Sequence, residues 1–77
     1  MKALLELLVT ALVDHPEAVE VIESEEGAGT FNYEVHVAPE DTGKVIGKQG
    51  KIANAIRTVV KAAAVKENRR VLVDIVD

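Results

Sequence analysis

Cysteine is absent from this sequence of 77 residues. Its absence excludes a disulfide framework, a thiolate zinc site and a cysteine nucleophile, and it fits a reducing compartment, so we expect a cytoplasmic protein. Long hydrophobic runs are also missing. The most apolar stretch, Leu4 to Val13, is interrupted by Glu6, is followed by no small-residue cleavage site and is too short to span a bilayer. The sequence therefore predicts neither a signal peptide nor a membrane segment.

Aromatic residues are scarce, since the sequence has no tryptophan, one phenylalanine (Phe31) and one tyrosine (Tyr33). Alternation along a predicted strand places both on its buried face, so we expect no exposed aromatic platform for stacking with bases. Apolar residues make up 48% and charged residues 29% of the chain, which is the balance of a folded globule. Two domains would each fall below the ~40 residues that a core usually needs, so we expect one domain over 1–77.

Charge is distributed unevenly along the chain. Residues 1–42 carry one cation against ten acidic residues, whereas residues 43–77 carry eight cations against three acidic residues. The net charge of −4 argues against a polyanionic partner, but the second half can still form a local basic patch. A solvated helix face rich in lysine explains the same pattern, and charge alone leaves both interpretations open.

Hydrophobic periodicity predicts six elements in the order α-β-β-α-α-β. The predicted bounds are a helix over 3–13, strands over 18–24 and 30–37 around a reversal at 25–29, helices over 39–46 and 51–66, and a strand over 71–76. The first helix is expected to end before Pro16. In the long helix the predicted buried positions are Ile52, Ile56, Val59, Val60 and Ala63. Arg57 and Lys61 are interpreted as exposed helix charges.

Gly47-Lys48-Gln49-Gly50 separates the two helices predicted in the second half. Glycine permits positive φ and lacks a Cβ atom, so another backbone can approach closely, and the amides that open the next helix carry partial positive charge. Lys44 precedes this loop and Lys51 follows it, so cations surround a place where a sugar-phosphate chain could run. A plain corner between two helices would also require glycine for its geometry.

The residues around this loop favour the first interpretation, because residues 45–52, V-I-G-K-Q-G-K-I, resemble the V-I-G-x-x-G-x-x-I signature of KH domains. The order of elements resembles that of KH domains of the second type, so the resemblance covers the whole chain. At this length the chain resembles the single-domain bacterial KH proteins of the KhpA family. The resemblance implies an α+β fold, with a mixed three-stranded sheet covered on one face by three helices. It also implies cytoplasmic single-stranded RNA binding, self-association and pairing with a larger Jag-type KH protein connected to cell elongation and division.

The resemblance assigns roles to individual residues as well. The GxxG loop would clamp the backbone of about four nucleotides. Val45, Ile46 and Ile52 would form the apolar wall of an adjoining groove for the bases, and the loop over 66–70 would form its opposite rim. Core packing explains the three aliphatic residues too, and a solvated strand entry explains the arginines of the loop. The RNA-binding candidates are Lys44, Val45, Ile46, Gly47, Lys48, Gln49, Gly50, Lys51, Ile52, Arg69 and Arg70.

No catalytic constellation is apparent, and we expect no enzymatic activity, cofactor, metal site or small-molecule substrate. His15 and His36 lack the spacing of a metal-binding pair, and Ser24 stands among acidic residues that disfavour its ionisation. The segment 43–49 is one residue short of a nucleotide-binding P-loop and lacks its hydroxyl.

A protein-interaction module, in which the GxxG loop is only scaffold, is the alternative from another class. The predicted first helix has seven large aliphatic residues in eleven positions, more than one face against a three-stranded sheet has to cover. A domain this small also buries only about 60% of its unfolded surface. We therefore predict a homodimer. Dimerisation is compatible with RNA binding, since two weak sites gain avidity when they are linked.

Overall fold

The computed structural model describes residues Met1–Val76, and its elements follow the predicted order. Three helices and three strands are present: α1 (Lys2–Thr10), β1 (Glu20–Gly27), β2 (Thr30–His36), α2 (Thr42–Ile46), α3 (Lys51–Lys66) and β3 (Arg70–Val76). Short 3₁₀ turns connect them at Pro16–Ala18, Pro39–Asp41 and Lys48–Gly50. The predicted α+β class is confirmed. Across the residues described, no helix is both long enough and apolar enough to cross a membrane.

Helix α1 and strand β1 differ most from their predicted bounds. Helix α1 ends three residues early, at Thr10, whose hydroxyl donates to the carbonyl of Glu6 at 2.7 Å. Strand β1 starts two residues late, because Pro16–Ala18 forms a 3₁₀ turn, and it continues to Gly27. The reversal is therefore shorter than the predicted 25–29. The glutamates of the hairpin lie within an exposed edge strand, where charges are well tolerated.

The sheet is mixed, with the order β1-β2-β3. β1 pairs antiparallel with β2, and β2 pairs parallel with β3, so that Thr30 lies opposite Arg70 and His36 opposite Val76. The helices cover one face of the sheet. The core on this face consists mainly of aliphatic side chains from α1, α3 and the three strands: Leu5, Val9, Val21, Tyr33, Val35, Ile56, Val60, Val71 and Val73. The predicted burial of Tyr33 is confirmed. On the opposite face Ile22 and Leu72 remain exposed.

The buried stripe of α3 differs from the predicted one. Its fully buried members are Ala53, Ile56, Val60 and Ala64, whereas Val59 is 48% exposed and Ala63 is half-buried. Of the two alanines that the prediction omitted, Ala64 belongs to the core cluster with the strand residues Val71 and Val73. Val59 instead lines an apolar groove between α3 and α1.

Asp41 is the one buried charged residue among residues 1–76. Its carboxylate accepts hydrogen bonds from the backbone N–H groups of Asp14 (3.2 Å) and His15 (2.9 Å), and the Lys44 ammonium lies 3.6 Å away. Burial alone would raise the pKa of Asp41. The two N–H donors and the nearby positive charges outweigh burial and lower that pKa from its usual value. The carboxylate therefore ties the α1–β1 connection to the start of α2.

We expect Asp41→Asn to lower the melting temperature at pH 7, because the amide group leaves one buried N–H without an acceptor oxygen. A lowered folded-state pKa means that the carboxylate stabilises the fold above its unfolded pKa, near 4, and that this stabilisation is lost as pH falls through the folded-state value. Thermal melts from pH 7 to pH 2 should show the gap between native protein and variant closing below about pH 4.

Asp74→Asn, at an exposed position of β3, is the matched control and should change the melting temperature little at any pH. A gap between the native protein and Asp41→Asn that stays constant with pH would contradict a stabilising role of the Asp41 charge.

Candidate functional site

The GxxG segment forms a tight turn between α2 and α3. Gly47 (φ 76°, ψ 173°), Gln49 (φ 59°, ψ 26°) and Gly50 (φ 75°, ψ 13°) all have positive φ. The N–H of Gly47 donates to the carbonyl of Gly43 at 2.9 Å and ends α2, and the N–H of Gly50 donates to the carbonyl of Gly47 at 3.1 Å and closes the turn. Gly50 then caps α3 in the left-handed conformation, which glycine adopts without a steric penalty.

Gly47 also provides space for a close contact. A Cβ atom at this position would lie 2.6 Å from Cγ1 and 2.9 Å from Cβ of Ile52, which real side chains do not tolerate. Gly50 has no such neighbour, since a Cβ there would meet open space. The first glycine is therefore required by packing as well as by its dihedral angles, whereas the second is required by its dihedral angles.

Cationic side chains surround this turn. Lys48 and Gln49 form its exposed tip, and Lys51 is exposed at the first position of α3. In the described part of the chain neither Lys48 nor Lys51 forms an ion pair. The structure thus brings together Lys48, Gln49, Lys51 and the two glycines at one corner of the molecule.

Lys44 lies on α2, three residues before the turn, but its charge has partners. Its ammonium donates to the carboxylate of Asp14 and lies 3.6 Å from that of Asp41. The hydrogen bond to Asp14 is the main reason that the pKa of Lys44 is raised. Unlike Lys48 and Lys51, this lysine is held by carboxylates of the protein itself.

The three aliphatic candidates have different surroundings. Val45 is fully buried in the core, so for this residue the structure shows the core packing that was the other interpretation of its position. Ile46 and Ile52 are half-buried beside the turn. Ile52 packs beneath Gly47 and also lines an apolar groove between α1 and α3.

Arg69 and Arg70 lie at the opposite end of α3 from the turn. A helix of sixteen residues separates them from Gly50, which corresponds to about 24 Å. The guanidinium of Arg69 covers the Phe31 ring at 4.7 Å from its centroid, and the N–H of Arg70 donates to the carbonyl of Gly29. The structure therefore places this loop, which the resemblance assigns to the opposite rim of the base groove, at the far end of the long helix from the GxxG turn.

Arg57 is the cation that sequence reasoning missed. It is half-buried rather than freely exposed, with Nε donating to the carbonyl of Val73 at 3.1 Å and a terminal nitrogen donating to Oδ1 of Asn54 at 3.2 Å. It therefore spans the seam between α3 and the edge strand β3, two turns from Gly50. Periodicity marks this position only as polar, and no sequence signal indicates the contact with β3.

The family model described as KhpA/KhpB, KH domain matches residues 2–75 of this chain. The chain belongs to the KhpA/KhpB KH-domain family. It is similar to proteins named RNA-binding protein KhpA: 60% identical to the one from Clostridium acetobutylicum, with 99% of this chain and all of the relative covered. It is 53% and 46% identical to those from Halalkalibacterium halodurans and Listeria monocytogenes, with both chains covered completely.

Membership of the KhpA/KhpB family confirms the resemblance that residues 45–52 suggested, and the sheet and helices of the structure agree with the KH fold it implied. The GxxG turn of this family member lies beyond the carboxyl end of β2, at the edge of the sheet where β2 and β3 both end. Within the signature, Lys48, Gln49 and Lys51 are exposed at this corner, whereas Val45 is buried beneath it.

We expect Gly47→Ala to lower the free energy of unfolding by about 1–3 kcal/mol, because the dihedral angles of this residue lie in a region that is nearly exclusive to glycine and its Cβ would overlap Ile52. Gly43→Ala is the matched control. It lies within α2, a Cβ there meets no atom within 4 Å, and alanine should stabilise the helix by up to about 1 kcal/mol. Urea unfolding of the three proteins tests this, and equal stabilities would refute the close-contact role of Gly47.

Proposed function

We propose that this chain binds single-stranded RNA through the GxxG turn. The observation that carries the proposal is the exposed turn itself, in which two glycines open the backbone to a ligand while Lys48 and Lys51 stand beside it without ion pairs among the described residues. The name of the related proteins, RNA-binding protein KhpA, supports the same ligand.

Lysines and backbone at the turn would hold the phosphates of about four nucleotides, the length that GxxG loops clamp. Phosphate contacts position a nucleic acid, whereas base contacts specify its sequence. Ile46 offers an apolar contact to a base beside the turn, and Arg57 offers hydrogen-bond donors about 10 Å further along α3. Because the net charge is −4 and both aromatic residues belong to the covered face, we expect a modest affinity that falls as salt rises.

The proposal is tested by fluorescence anisotropy with a labelled, mixed-sequence single-stranded RNA. We expect the double variant Lys48→Asp with Gln49→Asp to lose affinity by about tenfold or more, because it removes a cation and adds two acids where phosphate would lie. The logarithm of the native affinity should fall with the logarithm of salt concentration, with a slope of about −0.7 for each phosphate contact.

A control with the same change of charge is available at the start of α1. Lys2→Asp with Ala3→Asp also removes one cation and adds two acids, at exposed positions on the helix end remote from Ile52. This control should bind RNA nearly as the native protein does, once circular dichroism confirms that all three proteins are folded. Equal binding by native protein and loop variant, or no binding by either, would refute an RNA site at the turn.

We also propose that the chain forms a homodimer, the prediction made from its first helix. A specific feature favours it: an almost wholly apolar groove of about 320 Å³ lies between α1 and α3, and its lining is Leu8, Leu12, Lys51, Ile52, Ala55, Ile56 and Val59. Leu12 and Val59 are 37% and 48% exposed. A second copy is the occupant that this surface fits, since exposed aliphatic side chains and an aliphatic groove on one face can fill each other across a two-fold axis.

We expect sedimentation velocity at micromolar concentration to show a species of twice the 8.3 kDa chain mass, and Val59→Glu to convert it to monomer. A charge buried without a partner in an apolar interface is strongly unfavourable. Val65→Glu, on the same helix but 72% exposed and outside the groove, is the matched control and should remain dimeric. A native protein that sediments only at 8.3 kDa would overturn the proposal.

The resemblance to the KhpA family also suggests a partner and a cellular role for this chain. A larger Jag-type KH protein is a proposed second partner, and regulation of RNA in the cytoplasm, linked to cell elongation and division, is the proposed context. In the alternative function, the chain is a protein-interaction module: it binds another protein chain through the α1–α3 groove, and the GxxG turn has only a structural role. The anisotropy experiment separates the two functions, because only the first requires the cations of the turn.

A further inference from the structure

Lys44 differs from the other lysines near the GxxG turn in being paired with carboxylates. It lies one helical turn before Gly47, close enough for its long, flexible side chain to reach a phosphate held there. In the free protein, however, its ammonium donates to Oδ2 of Asp14 and faces Oδ1 of Asp41 at 3.6 Å. One cation of the candidate site is thus already occupied by acidic groups of the same chain.

The two carboxylates have different roles. The side chain of Asp41 is completely buried and accepts the backbone N–H groups of Asp14 and His15, so it belongs to the structure of the fold. The side chain of Asp14 is 70% exposed, and its carboxylate accepts a hydrogen bond from the Lys44 ammonium. Asp14 joins the fold through its backbone N–H, which any residue except proline supplies. Another anion can therefore replace the carboxylate of Asp14 as the partner of Lys44 without disturbing the fold.

We propose that Asp14 competes with RNA phosphate for Lys44 and thereby limits the affinity of the GxxG site, an inference that rests on the proposed RNA binding. A phosphate that reaches Lys44 replaces one anionic partner with another, and the displaced carboxylate of Asp14 returns to water. Because the side chains of Lys44 and Asp14 are 44% and 70% exposed, the ion pair is weak and the exchange costs little. Asp14 acts as a positioning residue for Lys44 and does not contact RNA.

The experiment compares RNA affinity and its salt dependence in a double-mutant cycle. Asp14→Asn keeps the backbone N–H that binds Asp41 but removes the competing charge, so we expect RNA binding to tighten about two- to fivefold at low salt. The slope of log affinity against log salt should steepen by up to about 0.7, the value for one added phosphate contact on a single strand. Lys44→Gln alone should change affinity less than twofold, and in the Asp14→Asn background it should abolish the gain.

Glu26→Gln is the matched control, because it removes one negative charge at an exposed position on the distant hairpin. Equal effects of Asp14→Asn and Glu26→Gln would show that only net charge matters and would overturn the inference. A gain in Asp14→Asn that survives Lys44→Gln would overturn it as well. In either case the loop variant would still bind RNA more weakly than the native protein, whereas loss of that difference would mean that the proposed function itself has failed.

Discussion

The parallel pairing of β2 with β3 is the constraint on which the rest of the structure depends. Parallel neighbours cannot be joined by a tight turn, so between His36 and Arg70 the chain must return from one end of the sheet to the other. The return consists of α2, the GxxG turn and α3. Because the turn comes before the long helix, it lies at the edge where both strands end, and the far end of α3 delivers Arg69 and Arg70 to the hairpin.

Helix α2 is too short to be stable by itself, so the site depends on tertiary contacts that hold it. Val45 anchors the helix in the core, and the buried carboxylate of Asp41 ties its start to the connection after α1. Ile52, in the first turn of α3, fills the space that Gly47 leaves open and so packs α3 against the end of α2. The exposed corner with Lys48 and Lys51 is therefore attached to the fold through buried contacts on both sides of the turn.

Sequence reasoning succeeded where structure follows from local rules. The alternation of β2 correctly places Tyr33 and Val35 in the core, and the bounds of α3 agree with its predicted range, 51–66. It failed where contacts join distant segments. Periodicity could not distinguish Val59 from Ala64 as core residues, because that choice depends on how closely α3 approaches the sheet. Arg57 was interpreted as exposed because its acceptor, the carbonyl of Val73, lies on another element.

The sequence by itself determined the order of the elements, the covered face of the sheet and the conformation of the GxxG turn. Apolar spacing and the dihedral freedom of glycine are properties of short segments, so they can be read without a fold. Only the tertiary structure decided which cations lie near the turn and which of them are paired with acidic residues. Lys44 is paired with Asp14, thirty positions away, and Arg69 lies a full helix length from Gly50. The direction and length of α3 set these distances, and pairing between remote charges exists only once the chain has folded.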